Sequence, residues 1–138
     1  DIITAIYLFE YFPKLSDIEN MVKQIKSVMK RGSVFYGLTI DQAAVASKKD
    51  YYGIQGDLPR EEGQEFADSL PDGEGNTFSV HMYYWTMDSL RRVFEDNGLR
   101  FKELPVAVAQ EGIEKYGNEY WNLFFERPIY RIFKVTLQ

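Results

Sequence analysis

Ten tyrosines, ten phenylalanines and two tryptophans among 138 residues give this chain an unusual supply of aromatic faces. Such faces stack on planar groups and attract cations through the ring quadrupole. Tyr7, Tyr11, Tyr51, Tyr52, Tyr83, Tyr84, Tyr116, Tyr120 and Trp121 are the candidates to line a pocket or stack on a ligand, the alternative for each being ordinary packing. Proton transfer near neutral pH has one obvious carrier, the single histidine, His81. In the run TFSVHMYYW it shares a side with Ser79 and Tyr83, opposite Val80 and Met82. If that side faces a pocket, His81 accepts a proton from a hydroxyl or amine; if not, it is a surface residue. Glu61, Glu62, Glu65, Asp68, Asp72 and Glu74 form an acidic run, read as a solvated loop or as a means of steering a cationic substrate. The absence of cysteine excludes disulfides and thiolate metal sites, and one histidine cannot build an imidazole cluster, so no metal centre is expected.

These side chains need elements to position them. After Asp1 comes IITAIYLF, an apolar, β-branched run of the kind expected for a strand buried on both faces. Such a strand needs neighbours on each side, and only some follow in this chain, so the reading expects further residues before Asp1 in the parent protein. Ser16 and Glu19 have the spacing of a capping box, which predicts a helix over residues 17–29. Ile18, Met21, Val22, Ile25, Val28 and Met29 fall on one stripe of it, and Gly32 after Lys30 and Arg31 is a left-handed stop. SVFYGLTI then reads as a second strand, and strand, helix and strand joined by short loops predict a parallel crossover unit.

Residues 42–49 read as one or two helical turns. Residues 51–76, with five glycines and two prolines, read as a long excursion, and loops of that length in compact domains are usually functional or disordered. Residues 77–85 read as an added strand or hairpin arm. Thr86 is placed to cap a helix with Met87, Leu90, Val93 and Phe94 inward, ended by Asn97 and Gly98. Residues 99–108 read as a strand with Pro105 near its end, residues 111–125 as a helix containing Gly117, and residues 129–137 as a final strand.

The order strand, helix closed by Met29-Lys30-Arg31-Gly32, strand Ser33 to Ile40, excursion, helix from Thr86-Met87-Asp88-Ser89-Leu90 to Asn97-Gly98-Leu99, then two strands resembles the second half of class I S-adenosylmethionine-dependent methyltransferases. The segment Asp1 to Tyr11 is similar to their fourth strand and following loop, the Lys-Arg-Gly close to their Leu-Lys-Pro-Gly-Gly, and Asn97-Gly98-Leu99 to their Ala-Gly-Phe turn. The resemblance implies an α/β fold, a partial Rossmann-like sheet of parallel strands followed by a terminal antiparallel pair. It makes residues 1–138 the C-terminal part of one methyltransferase domain, with 41–85 as a lid-like insertion. S-adenosylmethionine is the implied cofactor and a small molecule the implied methyl acceptor. Because ligands sit beyond the carboxyl ends of strands in open α/β sheets, Ala5, Ile6, Tyr7 and Phe9 are expected beside the cofactor, Ala5 and Ile6 through backbone and Phe9 as an apolar wall. Tyr11, Tyr51, Tyr52, Tyr84 and Trp121 are expected toward the substrate, with His81 as the candidate base. Two departures stand out: the family's glycine-rich loop and ribose-binding acid are not in these 138 residues, and Glu10 and Tyr11 occupy the place where many members carry a histidine.

A formal charge of -5 lacks the basic footprint of a nucleic-acid binder. No stretch reaches the roughly 20 apolar residues needed to cross a bilayer, so no membrane partner is expected and the cytoplasm is the default location. Two other readings compete with an enzyme. One is a non-catalytic fragment or strand-exchanged homo-oligomer that pairs through its first strand. The other is a dehydrogenase-like remnant with an all-parallel sheet.

Overall fold

The computed structural model describes residues 1–41, 52, 55–56, 59 and 61–138. The expected helical turns at 42–49 and Tyr51 lie outside these residues. The chain opens with strand β1 (Ile2–Ile6), a 3₁₀ turn (Phe9–Tyr11), helix α1 (Leu15–Val28) and strand β2 (Val34–Ile40). β1 and β2 are parallel and adjacent, with Ala5 opposite Gly37, as the crossover pattern predicts. Strand β3 (Gln55–Gly56), strand β4 (Glu65–Pro71) and strand β5 (Thr77–Tyr83) form a separate antiparallel sheet in that order. Helix α2 (Met87–Asp96), strand β6 (Leu99–Leu104), helices α3 (Gln110–Tyr116) and α4 (Asn118–Glu126) and strand β7 (Tyr130–Leu137) complete the chain.

The central sheet has the order β1-β2-β7-β6, with β7 antiparallel to both neighbours. The antiparallel pair removes the all-parallel alternative. Helices α1 and α2 cover one face. Ile18, Val22, Ile25 and Met29 from α1 and Leu90, Val93 and Phe94 from α2 meet Phe35, Phe101, Phe133 and Val135 from the sheet in one apolar core. At its centre the Phe133 ring stacks on Phe101, with centroids 4.6 Å apart, and also contacts Phe9, Phe35 and Phe94. Gly37 lies directly across from Phe133, and a Cβ there would stand 2.2 Å from the ring. Glycine on this central strand is the condition for the ring's position.

Several expectations need correction. The helix begins at Leu15, two residues earlier than the capping box implies, so Ser16 lies inside the first turn and no side chain caps it. Val28 is exposed rather than inward, because the helix ends there. β1 is not buried on both faces. Among the described residues its only partner is β2, and Ile2 and Ile6 are 72% and 66% exposed. The excursion is not all loop: alternation in EFADSLP sends Phe66 and Asp68 inward and pairs β4 with β5 along the whole hairpin. The helix at 111–125 is two helices, since Gly117 adopts φ 78° and its N–H caps α3 at Ile113 O. The second helix instead keeps its expected features: the Thr86 hydroxyl accepts from Ser89 N, and Met87, Leu90, Val93 and Phe94 are buried.

Candidate functional site

The carboxyl ends of β1 and β2, the start of β7 and the hairpin β4–β5 enclose a cavity of about 140 Å³. Tyr7 and Tyr11 come from the turn after β1, Ile40 from the end of β2, Ile129 and Tyr130 from the entry to β7, and Asp68, Leu70, Val80 and Met82 from the hairpin. Trp85, just after β5, donates its indole N–H to Phe12 O at 2.8 Å and so ties the hairpin to the segment following the 3₁₀ turn.

Tyr7 is the pivot. Its N–H still pairs with Leu38 O at 2.9 Å, but its φ of 52° turns the chain aside from the strand direction. An aromatic residue adopts this left-handed backbone rarely and at a cost of about 1–3 kcal/mol, and such residues cluster at functional sites. The Tyr7 ring rests against that of Tyr130, centroids 6.2 Å apart. Burial, helped by Tyr130 and Glu10, pushes the Tyr7 phenol up to about 12. Burial and then the Asp68 charge raise Tyr130 as well. Both hydroxyls therefore stay protonated at neutral pH and serve as hydrogen-bonding groups rather than bases.

Behind this wall lies Glu10, which is only 4% exposed. Its Oε1 accepts from the Thr39 hydroxyl at 2.5 Å and from Ile40 N at 2.7 Å, joining the turn after β1 to the end of β2. Its Oε2 is buried with no hydrogen-bond partner among the described residues. Burial raises this carboxyl above its ordinary value, against the lowering effect of those bonds.

A second, polar cleft of about 350 Å³ lies between Asp41, Thr86, Met87, Asp88, Arg91, Glu103 and Arg131. Its charges serve one another: Arg131 binds Glu103 and reaches Asp41 at 3.4 Å, and Arg91 lies 2.8 Å from Asp88 and 3.6 Å from Glu103.

Of the expected site residues, Tyr7 and Tyr11 line the first cavity. The Ala5 side chain packs on the core and Ile6 points to the open surface, which leaves only their backbone at the strand tip. Phe9 is enclosed by Phe35, Phe94 and Phe133 and is a core residue, not a cavity wall. His81 faces out, with Nδ1 3.2 Å from Glu65 Oε1, because Val80 and Met82 take the inward side of β5. Tyr52 is not a lining residue but packs against the cavity's Ile129, its hydroxyl donating to Tyr120 O and accepting from Phe124 N. Tyr84 is buried beside Phe66 and Met82, and Trp121 donates to Gly112 O at 3.0 Å within the α3–α4 corner. Sequence reasoning had Asp68 only as one of an acidic run and Glu10 only as standing in a histidine's place, and it missed Tyr130. The signal for Asp68 was present: an acid alternating with Phe66 and Leu70 on the apolar side of a strand.

Among the described residues no group of histidine and acidic side chains could hold a metal ion, and no helix is long and apolar enough to cross a membrane. Neither a family model nor a curated protein matches the sequence. Solved structures do match the fold. A protein described as an S-adenosylmethionine-dependent methyltransferase from Listeria monocytogenes aligns over 99% of this chain and 61% of its own, with TM-score 0.64 and 13% identity. One from Mesorhizobium loti aligns over 98% and 60%, with TM-score 0.61 and 10% identity. The CcbJ methyltransferase from Streptomyces caelestis aligns over 99% and 60%, with TM-score 0.60 and 12% identity. The chain thus spans about three fifths of these proteins, and over that span it shares their fold.

Proposed function

We propose that this chain serves S-adenosylmethionine-dependent methyl transfer to a small-molecule acceptor, supplying the second half of the cofactor site and the substrate-side wall. The observation that carries this reading is the position of the cavity, at the carboxyl ends of the parallel pair and under the β4–β5 hairpin. Ligands of open α/β sheets bind at such an edge. The fold likeness supports it.

The strand tip fits the cofactor in two respects. Tyr7 lines the cavity where its backbone turns aside from the strand, and its ring offers an aromatic face suited to a sulfonium. Bound cofactor supplies a methyl group made electrophilic by the sulfonium sulfur. The residues of this chain orient the acceptor and exclude water: Ile40, Val80, Met82 and Ile129 form the dry walls, and the protonated Tyr7 and Tyr130 hydroxyls offer hydrogen bonds that fix it. Alignment of this kind accelerates in-line displacement without a dedicated base. With its only histidine turned to solvent, the chain relies on positioning. The hairpin acts as a fixed roof over the acceptor. Isothermal titration of the complete gene product with S-adenosylmethionine tests this reading: saturable binding is expected, and its absence overturns the assignment.

A second reading has its own observation. β1 presents an open edge and an exposed apolar face at Ile2 and Ile6, which invites pairing with another strand. In that reading the chain is a non-catalytic module or a strand-exchanged homo-oligomer. Sedimentation of the 138-residue chain separates the two, since a monomer at all concentrations removes it.

A further inference from the structure

The cavity at the strand tips matches one class of ligand in both size and surface. Its volume of about 140 Å³ is close to the roughly 150 Å³ of a dry apolar cavity that accepts benzene. Aliphatic side chains from β2, β4, β5 and the entry to β7 form its described walls, together with Tyr7, Tyr11, Tyr130 and the Met82 thioether. The Tyr7 and Tyr130 rings meet at 53° with centroids 6.2 Å apart, so they make a corner rather than a stack. A third flat ring entering such a corner meets one neighbour by its edge and the other by its face, arrangements that aromatic pairs favour. A thioether beside it adds a favourable sulfur contact. The left-handed backbone of Tyr7, φ 52°, is the cost of leaving the strand at this point, and strain of that kind marks functional sites. The carboxylate on the wall, Asp68, has an interaction partner within the chain and calls for no cationic ligand.

We infer that this cavity takes an uncharged aromatic ring of about six heavy atoms, the scale of benzene. Apolar walls supply most of the affinity by removing the ring from water, and the tyrosine corner and Met82 favour an aromatic ring over an aliphatic group of the same size. A charged group entering the same space loses its hydration and gains little from these walls. That the ring belongs to a methyl acceptor rests on the function proposed above, and it makes that acceptor an aryl compound. The ring site itself stands on the cavity.

Titration of the complete gene product with benzene, followed by magnetic resonance of labelled isoleucine, leucine, valine and methionine methyl groups, tests the inference. Saturable shifts are expected at Ile40, Val80, Met82 and Ile129, around the cavity. Shifts confined to other residues, or none up to the solubility of benzene, overturn it. Charge is the second arm: benzylammonium and benzoate are expected to bind at these positions roughly tenfold or more weakly than benzene, and a charged ring bound as tightly overturns the inference. Cyclohexane is the third arm. Tyr130→Leu, or the more exposed Tyr11→Leu should that variant not fold, is expected to weaken benzene about threefold relative to cyclohexane. Equal weakening of both ligands in a folded variant overturns the aromatic assignment. Benzene bound at the cavity of a gene product that does not bind S-adenosylmethionine would remove the methyl-transfer reading and leave the ring site standing, whereas cofactor binding with benzene excluded would remove the ring site alone.

Discussion

Glu10 shows how a single carboxyl can hold a site together and strain it. One oxygen fastens Thr39 and Ile40 to the turn after β1, while the other is buried with no partner among the described residues. Because burial raises its folded value above the ordinary 4.5, the folded state binds more protons than the unfolded state as pH climbs through that window. Stability contributed by the neutral carboxyl is complete below about pH 4.5 and is lost as pH rises through the folded value. Glu10→Gln keeps an acceptor for Thr39 and Ile40 and removes the buried charge. Thermal melts should therefore show the variant gaining stability over the parent as pH rises from acid to neutral; an unchanged difference would locate the pH dependence elsewhere. Gly37 poses the opposite problem, that of space. The Phe133 ring is held by Phe101, Phe9, Phe35 and Phe94 and cannot yield to a methyl group at 2.2 Å. Gly37→Ala should cost about 1–3 kcal/mol in urea unfolding, and Phe133→Leu in the same chain should recover part of it.

Among the elements, α2 was the most legible because each of its signals is local. Its cap is Thr86, its stripe lies at helical spacing, and Asn97 and Gly98 end it. Thr86→Ala removes the acceptor for Ser89 N and the hydroxyl donated to Glu62, and should destabilise the chain by about 1 kcal/mol while Thr86→Ser stays near neutral. Equal losses in both variants would assign the cap's value to the methyl group instead. The α1 start was misread for a related reason: the Ser16–Glu19 spacing is also compatible with a helix already under way, and Leu15 begins it. β4 was hidden by glycine and acid content on either side of it. Only its alternation, with Asp68 in an apolar place, distinguished it from loop. Gly117 was visible, but whether such a glycine is tolerated within a helix or breaks it depends on a φ that composition does not fix.

At the scale of the whole molecule, element order was readable while enclosure was not. Strand, helix, strand and a terminal antiparallel pair follow from periodicity and turn residues, and they lead to the sheet β1-β2-β7-β6. The site is different, because its walls come from four separated segments that only folding brings together. That is why Tyr7 and Tyr11, next to the strand tip, were found and Tyr130 was not. The same topology leaves Ile2 and Ile6 uncovered at the sheet edge. Ile6→Lys should lower any self-association of the 138-residue chain in sedimentation, because a charge on an edge strand discourages strand pairing; unchanged association would place the contact on another surface.

Whether the strand tips form the floor of a methyl-transfer site is tested most directly by mapping where the cofactor's product binds. Amide chemical shifts of the complete gene product, followed during titration with S-adenosylhomocysteine, should move at Ile6 and Tyr7 and at the end of β2 around Ile40. Perturbations confined to other surfaces, or none at saturating ligand, would contradict the assignment.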